Sequence, residues 1–141
     1  MISGRSDATL NRGGVRLGTA EFYGVVDTLD GVDDSLVVHL DDPAGGAGEL
    51  ILFVALTAGA RLDEPRRAAV ASALRSRLSP RHVPDEIVEV PAIPRTVSGK
   101  RLEVPVKRIL LGARPDQVAS RDALADPAAL DAIEAWAAQR T

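Results

Sequence analysis

The stretch Pro94-Arg95-Thr96-Val97-Ser98-Gly99-Lys100 joins one flexible cation to residues that stiffen a turn. It follows an apolar, β-rich run and precedes a short amphipathic segment, a setting that predicts an ordered loop. Gly99 can adopt backbone angles closed to other residues, and Pro94 fixes one torsion at the loop entrance. Thr96 and Ser98 can hydrogen-bond nearby backbone. Such a loop presents the ammonium of Lys100, a point charge on a four-carbon stem suited to phosphate or carboxylate oxygens. On these seven residues alone, a solvated surface lysine in a basic turn is an equally good description. A second stretch, Asp42-Pro43-Ala44-Gly45-Gly46-Ala47-Gly48, is rich in glycine but lacks the Lys-Ser/Thr ending of a phosphate loop and no helix follows it. It reads as a flexible hairpin connection.

The scaffold for these residues is one domain, since 141 residues suffice for a single modest core. Only 3% of the chain is aromatic, so that core must be built from Val, Leu, Ile and Ala. Twelve glycines and nine prolines point to many turns rather than a helical bundle. The absence of cysteine excludes disulfides and thiolate zinc sites, and two histidines, His39 and His82, leave little for a metal cluster. A net charge of −3 argues against a nucleic-acid binder, despite Arg95, Lys100, Arg101, Lys107 and Arg108. No apolar run approaches the roughly 20 residues of a membrane span, and no signal peptide precedes the first motif. A cytoplasmic domain without membrane contact is expected.

Ala8 to Leu17 predicts a tight β-hairpin turning at Asn11-Arg12-Gly13-Gly14, with Arg16 just beyond the turn. Thr19 is the expected N-cap of a helix running to about Leu29 and ended by Gly31. Ser35–Leu40 and Leu50–Leu56 predict strands, the second continuously apolar and therefore central. Asp63 should cap a helix to about Leu78 that buries Val70, Ala71, Leu74 and Leu78 and leaves Arg66, Arg67, Arg75 and Arg77 elsewhere. Glu86–Val90 alternates as a strand does, and Val104–Leu111 predicts a short helix ended by Gly112. Ala113–Asp126 is linker-like, after which Asp126 and Pro127 open a last helix with Leu130, Ile133, Trp136 and Ala137 at helical spacing. Trp136 is most simply a core anchor.

Two motifs about 85 residues apart carry a resemblance. Gly4-Arg5-Ser6-Asp7 followed by Gly14-Val15-Arg16-Leu17-Gly18-Thr19-Ala20-Glu21 resembles the hinge and hairpin of adenylate-forming acyl-CoA synthetases. The Lys100 loop is similar to the lysine loop closing the same domain. Arg101 to Leu110 departs from the sequence most of these enzymes have there. That variant, with the tail Ser120-Arg121-Asp122-Ala123-Leu124-Ala125-Asp126-Pro127, is similar to the acetoacetyl-CoA synthetase branch.

The resemblance implies an α+β fold, with a small N-terminal β-hairpin and a central three-stranded sheet with flanking helices. It implies residues 1–7 as hinge, 8–112 as the body of a mobile C-terminal domain, and 113–141 as a tail with a helix. The N-terminal adenylation domain, bearing most of the ATP, magnesium and acid site, would lie outside this chain. The implied reaction activates acetoacetate with ATP and then transfers the acyl group to CoA, and the chain alone should be inactive. Lys100 would supply the cation for adenylation and Asp7 the pivot. Arg5 matches a residue near the nucleotide ribose, and Arg16 one that reaches the adenylate or CoA. Gly14 matches a position where a side chain would block the pantetheine path. Arg75 lies 25 residues before Lys100, as does an arginine that binds the CoA nucleotide phosphate in acetyl-CoA synthetases. The alternatives stay open: Arg5 and Arg16 as hairpin salt-bridge partners, Arg75 as a solvated helix charge. A protein lysine acetyltransferase that docks beside Arg95 and Arg101 and modifies Lys100 is a further implied partner.

Overall fold

Residues 9–12, 15–40, 48–114 and 124–140 are described by the computed structural model. Strands β1 (Thr9–Arg12) and β2 (Val15–Gly18) pair antiparallel, with Leu10 opposite Leu17. This is the expected hairpin, although its turn glycines Gly13 and Gly14 lie outside the described residues. Helix α1 (Thr19–Val26) leads into β3 (Val32–Leu40), which pairs antiparallel with β4 (Glu49–Leu56). The glycine-rich connection between them lies outside the described residues, except Gly48. Helix α2 (Glu64–Arg77) and a single 3-10 turn (Pro80–His82) return the chain to β5 (Glu86–Glu89), parallel to β4. Helices α3 (Glu103–Leu110) and α4 (Pro127–Arg140) follow. The fold is α+β, with β4 at the centre of the order β3-β4-β5.

The unbroken apolar run of β4 follows from its position. Leu50, Leu52 and Val54 join Phe22, Val25, Val26, Val70 and Leu74, so one face of the sheet is covered by α1 and α2. Ile51, Phe53 and Ala55 join Val106 and Ile109 of α3 and Leu130 and Ile133 of α4 on the other face. Side chains alternate between faces along a strand, so a strand buried on both sides must be apolar at every position. Leu130 and Ile133 are fully buried, each worth roughly 1.5–3 kcal/mol relative to exposure. Trp136 packs edge-on against Phe53 with centroids 5.3 Å apart, half-buried beside the core rather than inside it.

The caps of the two long helices match the sequence. Asp63 accepts from the Arg66 N–H through Oδ1 at 3.0 Å, and Asp126 accepts from the Ala128 N–H at 3.1 Å. The first helix departs from expectation at both ends. Gly18 occupies the N-cap, while Thr19 is already helical and buried. The helix stops at Val26 rather than Leu29, because the Thr28 hydroxyl donates to the Val25 carbonyl and Gly31 turns the chain at φ +84°. Strand β3 begins at Val32, earlier than Ser35, and takes in Asp33 and Asp34 across a register shift. Asp is a poor strand former, which is why the sequence pattern stops short. The linker reading of Ala113–Asp126 fails at its end: Leu124 is buried and pairs with Thr96. Residues 115–123 lie outside the described residues.

Candidate functional site: a braced lysine loop

The loop bearing Lys100 is a miniature hairpin. Arg95 and Arg101 face each other as an antiparallel bridge, and the Leu102 N–H donates to the Pro94 carbonyl at 3.1 Å. The Thr96 N–H donates to the Lys100 carbonyl at 2.9 Å, and the Gly99 N–H to the Thr96 carbonyl at 2.8 Å. Val97, Ser98 and Gly99 thus form a three-residue connection whose last member takes the left-handed conformation, with φ +95° at Gly99. A Cβ on Gly99 would meet nothing within 4 Å, so backbone angle rather than space demands glycine here. The Thr96 hydroxyl oxygen accepts from the Lys100 N–H at 3.0 Å and lies 2.9 Å from the Ser98 hydroxyl. Beyond the loop, the Ala125 N–H donates to the Arg95 carbonyl at 2.9 Å, so the chain before α4 forms an outer wall.

Beneath the loop lies a charged network reaching the open edge of β3. Arg95 grips Asp34 with two hydrogen bonds, Nε to Oδ2 at 2.7 Å and Nη2 to Oδ1 at 2.6 Å. Its remaining Nη1 donates to the Gly99 carbonyl at 2.5 Å. Arg101 donates from Nε to the Ser35 carbonyl at 2.7 Å and from Nη2 to Asp27 Oδ2 at 2.6 Å, with Asp34 Oδ1 at 3.4 Å. Its guanidinium lies 3.6 Å from the centroid of the Tyr23 ring. The Tyr23 hydroxyl donates to Glu103 and accepts from the Val37 N–H. The Ser35 carbonyl and Val37 N–H are therefore both occupied by side chains, which blunts the edge strand.

Protonation states follow from these contacts. Burial works to raise the Asp34 pKa, but the Arg95 hydrogen bonds, the Ser35 N–H and both guanidinium charges outweigh it and hold the carboxyl below its usual value. The bond to Asp34 raises Arg95 in turn. Burial, and then the Glu103 carboxylate, push the Tyr23 phenol far above its ordinary range, so it stays a neutral donor. Two arginines are thus matched by Asp27 and Asp34. The side chain of Lys100 is exposed, and among the described residues its ammonium has no hydrogen-bond or ion-pair partner. The loop therefore offers one uncompensated, displaceable cation on a fixed backbone.

The sequence-predicted residues are not all gathered here. Arg75 is exposed in the last turn of α2, a helix packed against the opposite face of the sheet from α3 and α4. Arg16 sits in β2 opposite Asn11, its side chain outside the described residues, as are Arg5, Asp7 and Gly14. Arg95 and Arg101, the basic residues flanking Lys100, both have their guanidinium groups held by carboxylates of α1's end and β3. Asp27, Asp34, Tyr23 and Glu103 were missed by sequence reasoning. The one available signal was a pair of acids, Asp33-Asp34, opening a β-branched strand.

A small α+β domain with a lysine on a braced loop at its surface defines a class that the family comparison identifies. Residues 24–100 match the AMP-binding enzyme C-terminal domain, and the chain belongs to that family. It is 45% identical over 128 residues to the acetoacetyl-CoA synthetase of Caenorhabditis elegans, a match covering 91% of this chain and 18% of that protein. Against the acetoacetyl-coenzyme A synthetase of Rhizobium meliloti (strain 1021) it is 46% identical over 133 residues, covering 93% and 19%. The structure of the acetoacetyl-CoA synthetase from Streptomyces lividans superposes with a TM-score of 0.87 at 41% identity, over 98% of this chain and 20% of that one. The chain thus spans about a fifth of the length of these relatives. Among the described residues no helix is long and apolar enough to cross a membrane.

Proposed function

We propose that this chain is the mobile C-terminal domain of a cytoplasmic acetoacetate–CoA ligase, joined through Asp7 to an N-terminal adenylation domain. The observation that carries the reading is the single free ammonium of Lys100 on a loop whose other cations are neutralised. In the first half-reaction the acetoacetate carboxylate attacks the α-phosphorus of ATP, forming acetoacetyl-adenylate and releasing pyrophosphate. Negative charge spreads over the phosphate and carboxylate oxygens, and a preplaced cation stabilises that transition state. In the second half-reaction the CoA thiol attacks the acyl carbon and AMP leaves. Rotation about Asp7 would withdraw Lys100 and bring the Gly14 hairpin to the thiol path, one pocket serving two steps. Arg5 and Arg16 would contact the nucleotide or CoA, and exposed Arg75 the CoA nucleotide phosphate.

Magnesium does not fit the described residues of this domain. Among the described residues no group of His, Cys, Asp and Glu could hold a metal, and Asp27 and Asp34 are engaged by guanidinium groups. Any magnesium would therefore ride on ATP in the adenylation domain, and no step here runs through it. The test is pyrophosphate release from acetoacetate and ATP. The 141-residue chain alone should release none, and the full-length protein should release it at a rate that Lys100→Ala suppresses. Release by the isolated chain, or an unimpaired Lys100→Ala protein, would overturn the reading.

A further inference from the structure

Lys100 is held at the surface by a backbone turn, but a turn alone does not fix where that turn points. Among the described residues, the contacts that could aim it join it to the sheet and to the chain before α4. On one side these are the bridge from Thr96 to Leu124. On the other they reach the Ser35 carbonyl, Asp27 and Asp34, and it is Asp34 that meets both arginines. Asp34 accepts two hydrogen bonds from Arg95 and lies 3.4 Å from Arg101, the two residues that pair across the loop's base. Arg95 continues past Asp34 to the Gly99 carbonyl, directly before Lys100. An unbroken chain of contacts therefore runs from β3 through Asp34 and Arg95 to the peptide that carries the lysine.

Asp34 is itself placed by an irregularity of the strand. The register between β3 and β4 shifts between Val32 and Asp34, and such a shift re-aims a side chain that a regular strand would direct elsewhere. Its Oδ1 also accepts from the Ser35 N–H at 2.9 Å, which restricts the carboxylate's rotation. A two-pronged arginine–carboxylate contact adds directional definition that a single ion pair lacks. Both partners are mostly buried, with side-chain exposure of 20% for Asp34 and 29% for Arg95.

We propose that Asp34 is a positioning residue for Lys100, acting through Arg95 to set the direction of the lysine loop during the adenylation half-reaction. The proposal rests on the reading of Lys100 given above. Asp34 touches no substrate in this role; its removal leaves the ammonium present but misdirected. Because the loop leaves the reaction centre before thioester formation, the second half-reaction does not depend on Asp34.

The test uses the full-length synthetase bearing Asp34→Asn, with Lys100→Ala measured beside it. Misplacement of a catalytic group is costly, so adenylation should slow by about 10- to 100-fold. Thioester formation from supplied acetoacetyl-adenylate should stay within about twofold, a split that general destabilisation would not produce. Peptide-level hydrogen exchange over residues 95–102 should quicken, while that over β4 is unchanged. Arg95→Lys keeps the charge but not the two-pronged geometry, so it should show the same split and serves if Asp34→Asn fails to fold. Equal loss in both half-reactions, or adenylation within about twofold of the parent, overturns the proposal. If Lys100→Ala abolishes adenylation while Asp34→Asn spares it, only the positioning role falls. If Lys100→Ala itself spares adenylation, the reading of Lys100 falls and takes the positioning role with it.

Discussion

The arginines around Lys100 and the arginine on the far helix face opposite fates. Arg95 and Arg101 sit beside Lys100 in sequence yet are tied to Asp34 and Asp27, partners 61 and 74 residues away. Arg75 lies on the exposed side of α2 near its C-terminal end, where a cation also complements the helix dipole. All three are basic residues in polar surroundings, and a charge count treats them alike. Their contacts separate them: the first two organise backbone, and the third is available to an anionic ligand. A cation's role here is set by whether a carboxylate lies within reach, not by its distance from Lys100 in sequence.

The largest effect that tests this contrast is at the loop tip. In the full-length protein, Lys100→Ala should lower adenylation by about 10²- to 10³-fold, the scale of losing a preplaced charge at a reacting centre. Pre-steady-state pyrophosphate release measures it. Next comes Gly99→Val, which forces a β-branched residue to φ +95° at a strain of about 1–2 kcal/mol. Adenylation should drop by about tenfold, an effect of the loop's backbone alone, since open space surrounds the new side chain. Unchanged pyrophosphate release in that variant would show that the left-handed turn is dispensable.

Smaller effects are expected at the far helix and in acid. Arg75→Ala should raise the KM for CoA by several-fold, roughly 1 kcal/mol, and leave adenylation unaltered. An unchanged KM would return Arg75 to the solvated helix charges. For Asp34, the folded pKa lies below its ordinary value, so its stabilising contribution is present above the usual carboxylate range. That contribution is lost as pH falls through the lowered folded pKa. Asp34→Asn should therefore melt about 3 °C below the parent near neutral pH, about 1 kcal/mol, and the two curves should converge once pH has fallen through the lowered folded pKa. A gap that stays constant through the acid range would separate the stability of the loop from the Asp34 charge.

Much of the scaffold was legible because local rules were enough for it. Asp63 and Asp126 announce helix starts through hydrogen bonds spanning two or three residues, and the uninterrupted apolar run of β4 announces a strand covered on both faces. The loop's own turn was also legible, since Gly99 and Thr96 act within five residues of each other. The brace was not. Asp34 and Arg95 have no sequence relation that pairs them, and a register shift in an unexpectedly long β3 decides where Asp34 points. Leu124 escaped for the same reason: its burial depends on a bridge to Thr96 that neither neighbourhood foretells. Arg5, Asp7 and Gly14, expected as hinge and hairpin residues through resemblance alone, lie outside the described residues.

If the ion network under the loop serves adenylation by aiming Lys100, a double-mutant cycle of Asp34 and Lys100 should reveal the coupling. Adenylation is measured for the full-length parent, Asp34→Asn, Lys100→Ala and the double variant, all under one set of conditions. If Asp34 acts only through Lys100, removing Asp34 matters while the lysine is present and ceases to matter once it is gone. Asp34→Asn should slow the parent by at least about tenfold but change the Lys100→Ala protein by less than about twofold. A further tenfold loss in the Lys100→Ala background would contradict that coupling.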